Sequence, residues 1–276
     1  MYNKILIKKN KYCFELNKNI DNLNFSDTKF IKEKFLNKKD YFLIIKNFGK
    51  TSKEIKDNII NFSQKFGKII SQDKYDKKFV EITPDIKKIN KNKPKNKIKL
   101  RYHQTNSGGY IHSDGPQLSR PPKFVLMGCI KQASKGGYSI LSSIDKIINE
   151  LKKKDKKILS TLKKKFLFER RGFYFENQKK ILKKPVIETY NKEIKFRYLR
   201  SYMEEAYRIS SKDMPASQVN AINKLDKLLS KKKNQYKFKL NAGDMLLINN
   251  HRLAHGRSAF DLTNNNNRSL IRVWFK

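Results

Sequence analysis

The chain has 276 residues, of which 38% are hydrophobic and 12% aromatic, enough to bury one substantial core and too many for a disordered chain. Its formal net charge of +39 comes from lysines spread along the whole sequence, and no zinc-finger, helix-turn-helix or RNA-binding motif accompanies it. The charge therefore indicates an AT-rich coding bias rather than a dedicated nucleic-acid-binding protein.

The N-terminal residues and the cysteines bear on the cellular compartment. Residues 1–20 contain a short apolar run that lysines interrupt, so they lack the continuous core of a signal peptide. Cys13 and Cys129 are far apart and form neither a CxxC motif nor a metal-ligand spacing. No stretch approaches the roughly 18 apolar residues of a membrane span. We therefore expect a cytoplasmic protein without a disulfide framework.

The first predicted elements are a strand and a helix. Residues 41–48, YFLIIKNF, are rich in aromatic and β-branched residues and predict a buried strand. A helix is predicted from Thr51 or Ser52, either of which can cap it, to a stop at Gly67. The polar, proline-containing segment 91–97 is predicted to be a loop.

The rest of the chain predicts strands interrupted by two helices. Residues 98–140, 184–202 and 236–276 have strand character, while apolar residues repeat at helical spacing over 144–151 and 219–229. Strands with an inserted helical section are typical of a barrel-like β core that carries a lid, rather than of a βαβ repeat.

We expect one domain over residues 1–276. From their position in the chain, residues 145–166 and 201–233 are the candidates for a lid over the site.

Two of the four histidines and one acidic residue can be combined into a metal site. His112 and Asp114 are two residues apart, so their side chains point to the same side of an extended chain. His255 follows the apolar strand MLLI, from where a neighbouring strand could present it. Two histidines and one carboxylate on one face of an ion form the facial triad of non-haem Fe(II) oxygenases. The HxD pair alone is weak evidence, because such pairs are commonly structural.

Two other arrangements of histidines stay open at this point. His251 and His255 have the i, i+4 spacing of a helical zinc site, but the glutamate of an HExxH protease is missing between them. His103 could belong to the metal site, although a hydrogen-bonded core or pocket histidine explains it better.

Two arginines near the C-terminus add to the triad hypothesis. Arg268 and Arg272 are four residues apart, so on a strand both side chains face the same way, about 13 Å apart. Arginine pairs with a carboxylate bidentately, so one could bind a metal-chelating diacid and the other an anionic group of the substrate. Surface or salt-bridging arginines are the alternative.

The sequence resembles the TauD/TfdA-like family of Fe(II)/2-oxoglutarate dioxygenases, also called taurine dioxygenase and clavaminate synthase-like. The resemblance consists of four motifs in the family's order: HSDGPQ at 112–117, GGYS at 136–139, AGDMLLINNHRLAHGRSAF at 242–260 and RSLIRVWF at 268–275. It implies a mainly β fold with peripheral helices, built on a double-stranded β-helix (a cupin-like jelly roll) with helical insertions.

The resemblance also implies the roles of individual residues and the cosubstrates. His112, Asp114 and His255 would be the catalytic metal ligands for Fe(II), and Arg268 would bind the side-chain carboxylate of 2-oxoglutarate, with O2 as the oxidant. Ser139 stands where the family usually has a threonine that bonds 2-oxoglutarate, and a serine can donate the same hydrogen bond.

The substrate is expected to be a small molecule. By the same likeness, Arg272 would face a carboxylate, sulfonate or phosphonate group of that substrate. Because Asp114 is retained where halogenating relatives have a small residue, we expect hydroxylation, desaturation or cyclisation.

Two alternative functions are a catalytically silent metal-binding jelly roll and a basic nucleic-acid-binding protein. The first need not keep all three ligands and Arg268. The second predicts tight, salt-sensitive binding of DNA or RNA. We expect neither a specific nucleic-acid partner nor a membrane partner.

Overall fold

The computed structural model describes residues 13–15, 29, 42–73, 75–91, 104–172, 179–190, 193–262 and 268–276. The strands are β1 (Cys13–Glu15), β2 (Phe42–Lys46), β3 (Ile69–Ile70), β4 (Phe79–Ile82), β5 (Phe124–Lys131), β6 (Ser139–Ser143), β7 (Lys165–Glu169), β8 (Ile181–Pro185), β9 (Ile187–Tyr190), β10 (Glu193–Phe196), β11 (Gln235–Phe238), β12 (Met245–Asn249), β13 (Leu253–Arg257) and β14 (Ser269–Phe275). The helices are α1 (Ser52–Phe66), α2 (Ile86–Lys91), α3 (Ile144–Lys154), α4 (Lys156–Leu162), α5 (Arg200–Ile209) and α6 (Ala216–Leu229).

Two mainly antiparallel sheets form the centre of the molecule. The larger has the order β1-β2-β12-β5-β14, with β3 and β4 both paired to β14, and the smaller has the order β11-β6-β13. Side chains from both sheets meet in one apolar cluster, which includes Ile44 and Leu246 from the larger and Leu141 and Leu253 from the smaller. This arrangement confirms the predicted mainly β jelly roll with peripheral helices.

The larger sheet is buried on both faces. In β2, Phe42 and Ile44 point into the core between the sheets, whereas Leu43 and Ile45 pack on the opposite side against α1. This explains why the predicted strand at 41–48 is a continuous apolar run rather than an alternating pattern.

The predicted helix at the N-terminal end is confirmed. Thr51 caps α1, since its Oγ1 accepts a hydrogen bond from the Glu54 backbone at 3.1 Å. Ile55, Ile59 and Phe62 are buried on one face of the helix, which lies against the larger sheet.

The two helical patterns of the C-terminal half are also confirmed, as α3 and α6. They pack with α4 and with strands β7 to β10 into a third apolar cluster. Among the helices of the described residues, none combines the length and the apolar character that crossing a bilayer requires.

The strand prediction was wrong in two places. Residues 104–123 contain no strand apart from an isolated bridge at His112, because glycines, prolines and serines favour turns there. The segment 184–202 forms strands only to Phe196, and α5 starts at Arg200. Most of the predicted loop at 91–97 lies outside the described residues.

Candidate metal centre

The two predicted histidine ligands are directly opposite each other. His112 and His255 exchange two backbone hydrogen bonds, of 2.9 and 2.7 Å, as one antiparallel bridge between the 104–123 segment and β13. Residues paired in this way project their side chains to the same face. The two imidazole ring centroids are therefore only 4.7 Å apart.

Asp114 completes the cluster. Its two oxygens lie 3.8 Å from His112 Nε2 and 3.6 Å from His255 Nε2, and the ligand atoms of all three residues are within 4.8 Å of one another. These distances are too long for hydrogen bonds. Ligand atoms about 2.1 Å from one ion lie roughly 3 to 3.4 Å apart, which is about 0.2 to 0.8 Å closer than these two carboxylate–imidazole distances.

The backbone of the HxD segment is fixed from two sides. The Asn250 side chain accepts from the Asp114 N–H at 2.8 Å and donates to the Asp114 carbonyl at 3.0 Å. Ser113 donates its N–H to the Tyr198 carbonyl at 2.8 Å, and its hydroxyl accepts from the Tyr198 N–H at 2.9 Å. Asn250, Ser113 and Tyr198 are all buried, so the core holds the positions of His112 and Asp114.

The charges of the cluster suit a divalent cation. Burial acts to raise the pKa of the Asp114 carboxyl, but Arg272 and the histidines outweigh it and hold that pKa well below its ordinary value. Burial and His255 lower the pKa of His112 to about 4. Near pH 7 the cluster therefore offers a carboxylate and a neutral His112 imidazole, which are the protonation states a metal requires.

The hydrogen bond on the His112 ring also fits a metal ligand. His112 Nδ1 lies 2.9 Å from the Tyr110 carbonyl, which fixes Nδ1 as the donor and leaves a lone pair on Nε2, facing Asp114. His255 Nδ1 is buried and has no hydrogen-bond partner among the residues that the structure describes. The residues present therefore fit a metal ion bound between the three side chains.

The cluster lies in the wall of a cavity of about 540 Å³. Apolar side chains from both sheets form much of the lining, including Leu141 and Leu246. The cavity brings together all six residues predicted for the site: His112, Asp114, Ser139, His255, Arg268 and Arg272.

Arg268 and Ser139 line the same cavity and are both buried. Arg268 Nε donates to Gln132 Oε1 at 3.1 Å. A Cβ atom at Gly137, where φ is +70°, would lie 3.2 Å from Arg268 Cδ. The GGYS motif therefore brings Ser139 into the cavity and also makes room for the arginine.

Arg272 is closer to the metal cluster than its predicted role suggests. Its Nη1 donates to Asp114 Oδ1 at 2.9 Å, and its Nε donates to Gln72 Oε1 at 2.8 Å. Sequence reasoning missed Gln72, and it missed Trp274, whose indole N–H donates to Asp114 Oδ2 at 2.9 Å. The two-residue spacing from Arg272 to Trp274 could have identified Trp274 as a site residue, because it places both side chains on one face of β14.

The alternative zinc arrangement is excluded. His251 lies in the turn after β12 and His255 lies in β13, so the two do not share a helix. His251 is buried, and its ring bonds the backbone of Pro121. His103 lies outside the described residues.

A jelly roll with two histidines and one carboxylate on a cavity wall is typical of mononuclear non-haem metal proteins. The family model described as "Taurine catabolism dioxygenase TauD, TfdA family" matches residues 18–274. The chain therefore belongs to that family.

Curated relatives match over part of their length. Human gamma-butyrobetaine dioxygenase is 29% identical over 156 residues, which span 55% of this chain and 40% of that protein. FR-33289 synthase from Streptomyces rubellomurinus is 24% identical over 180 residues, which span 63% of this chain and 51% of the synthase.

Solved structures share the fold. Asparagine oxygenase in complex with Fe(II), 2S,3S-3-hydroxyasparagine and succinate has a TM-score of 0.67 at 11% identity, covering 91% of this chain and 78% of that chain. The non-haem iron oxygenase OrfP in complex with Fe and alpha-ketoglutaric acid has a TM-score of 0.64 at 14% identity, covering 93% and 81%.

The buried His251 predicts acid sensitivity of the apo-protein. Burial, with the nearby charges of Lys195 and Lys123, lowers its pKa from 6.5 to about 4, although the Pro121 bond and Glu193 oppose this. The unfolded chain takes up a proton below pH 6.5 that the folded chain accepts only near pH 4. Stability is therefore lost as the pH falls through this window, by about 1.4 kcal/mol per pH unit from this group.

Urea unfolding of wild type and His251→Gln in EDTA, at pH 7.0, 6.0 and 5.0, measures this contribution. The variant is expected to lose less stability than wild type between pH 7.0 and 5.0. Parallel pH dependences would show that His251 does not contribute.

Proposed function

We propose that this chain is an Fe(II)- and 2-oxoglutarate-dependent dioxygenase that hydroxylates a small organic substrate bearing an anionic group. The observation that carries the proposal is the His112, Asp114 and His255 cluster on the wall of a cavity that also contains the buried Arg268. A silent jelly roll would need neither a complete donor set nor a cationic group beside it. Membership in the dioxygenase family supports the same activity.

In this proposal the three clustered residues are the metal ligands, and Arg268 and Ser139 hold 2-oxoglutarate. When bound, Fe(II) and 2-oxoglutarate supply the oxidation chemistry, in which O2 and 2-oxoglutarate give succinate, CO2 and a hydroxylated substrate. The buried guanidinium of Arg268 is suited to a carboxylate because its N–H groups match two oxygens at once. The Ser139 hydroxyl, which lines the same cavity, can donate one further hydrogen bond.

We further propose that Arg272 faces the anionic group of the substrate. Its bonds to Gln72 and Asp114 use Nε and Nη1, and an arginine has five N–H donors, so the other N–H groups can be shared with an anion in the cavity. The solved relatives are bound to hydroxyasparagine and to (3S)-hydroxy-L-Arg, which as amino acids carry a carboxylate.

We also propose that residues 1–276 form one domain in the cytoplasm, and that 145–166 and 201–233 form its lid. Ser201, Tyr202 and Glu205 line the cavity, which supports a lid role for the start of the second segment. The lining residues within the described ranges include none from 145–166. The buried thiol of Cys129 agrees with a reducing compartment.

Anaerobic titration with Fe(II) and 2-oxoglutarate tests the cofactor site. The chelate is expected to give a weak visible charge-transfer band in wild type and none in His112→Ala. Arg268→Ala removes a charge-assisted hydrogen bond, so the band should need roughly 10- to 100-fold more 2-oxoglutarate. Arg120→Ala, which changes an exposed arginine, is the matched control and should titrate like wild type. A folded wild type that gives no band would contradict the proposed function.

Succinate release tests the anionic group separately. Small acids are compared with their neutral amides, in wild type and in Arg272→Gln. Acids should stimulate succinate release by wild type more than their amides do, and the variant should lose this preference. Equal stimulation by acids and amides would overturn the anionic-group proposal and leave the dioxygenase proposal standing.

A further inference from the structure

The Asp114 carboxylate is bonded by strong donors on both oxygens. Arg272 Nη1 donates to Oδ1 and the Trp274 indole N–H donates to Oδ2, each at 2.9 Å. The carboxylate and the indole are both buried, at 4% and 3% exposure. A buried indole N–H needs a hydrogen-bond acceptor, and here the acceptor is a member of the metal cluster.

Both donors come from one rigid strand. Arg272 and Trp274 lie on the same face of β14, which pairs with β5 along its whole length and with β4 or β3 on the other side. Gln72 accepts from Arg272 Nε and donates to the Arg272 carbonyl at 2.8 Å. The Arg272 guanidinium also lies 4.8 Å from the Trp274 ring centroid. The two side chains therefore support each other as well as the carboxylate.

We propose that Trp274 is a positioning residue which, together with Arg272, fixes the plane of the Asp114 carboxylate for metal binding. The inference rests on the proposed function, because it assumes that the cluster binds a metal. Each carboxylate oxygen has two lone pairs, and the donors on β14 occupy one on each. The remaining lone pairs can therefore face the two histidines, whose Nε2 atoms lie 3.6 Å (His255) and 3.8 Å (His112) from the carboxylate oxygens.

Losing the indole donor has a specific consequence. Oδ2 would keep no donor from β14, so the Arg272 bond to Oδ1 would be the only bond from this strand that holds the orientation of the carboxylate. Partners that orient a metal ligand are typically worth 10- to 100-fold in metal affinity.

Co(II) titration of Trp274→Phe tests the inference, because Phe keeps an aromatic ring at this position and removes the N–H donor together with part of the indole. Co(II) binding is followed through its visible ligand-field bands. The variant is expected to bind Co(II) about 10- to 100-fold more weakly, with altered bands at saturation. Phe275→Leu is the matched control, since Phe275 is buried on the opposite face of the same strand. It should lose stability and keep wild-type Co(II) affinity and bands.

Wild-type fluorescence provides a measurement that does not depend on the folding of a variant. Trp274 is the only tryptophan in the chain, so the emission reports this position alone. Co(II) should quench it with the same dissociation constant that the visible bands give.

The outcomes separate the two proposals. A wild type that binds no Co(II) overturns both the proposed function and this inference. If wild type binds Co(II) tightly and folded Trp274→Phe has the same affinity and the same bands, the inference alone is overturned. The inference alone is also overturned if Co(II) binds tightly to wild type without quenching the Trp274 emission.

Discussion

The site depends on keeping one carboxylate ionised inside the protein. An isolated buried charge is strongly unfavourable, so Asp114 must be surrounded by donors and positive charge. Arg272 and Trp274 provide these on one side, and the neutral ring of His112 with His255 lies on the other. The buried carboxylate then carries a negative charge ready for a cation without a proton to remove first.

The jelly roll supplies these partners because it brings distant segments into register. His112 and His255 are 143 residues apart in sequence and are joined by a single antiparallel bridge. Strand alternation in β14 directs Arg272 and Trp274 into the cavity while Phe275 packs beneath the sheet. Each side chain of the site therefore lies on, or is bonded to, an element that the apolar core holds in place.

Local patterns could be predicted from the sequence, and long-range contacts could not. The spacing of residues was sufficient to predict helix α1 and to predict that His112 and Asp114 share a face, because both features depend on residues within a few positions of each other. The contact of Gln72 with Arg272 joins residues 200 positions apart, and no local pattern encodes it. The irregular 104–123 segment is rich in glycine, proline and serine and poor in apolar residues, so its composition favours turns over the strand expected there.

Anomalous diffraction at the iron edge, from crystals grown anaerobically with Fe(II), locates the metal ion relative to the three clustered side chains. One strong peak is expected within bonding distance of His112 Nε2, Asp114 and His255, at full occupancy. A well-ordered crystal with no peak at this position, or with its strongest peak elsewhere, would contradict the assignment of these three residues as the metal ligands.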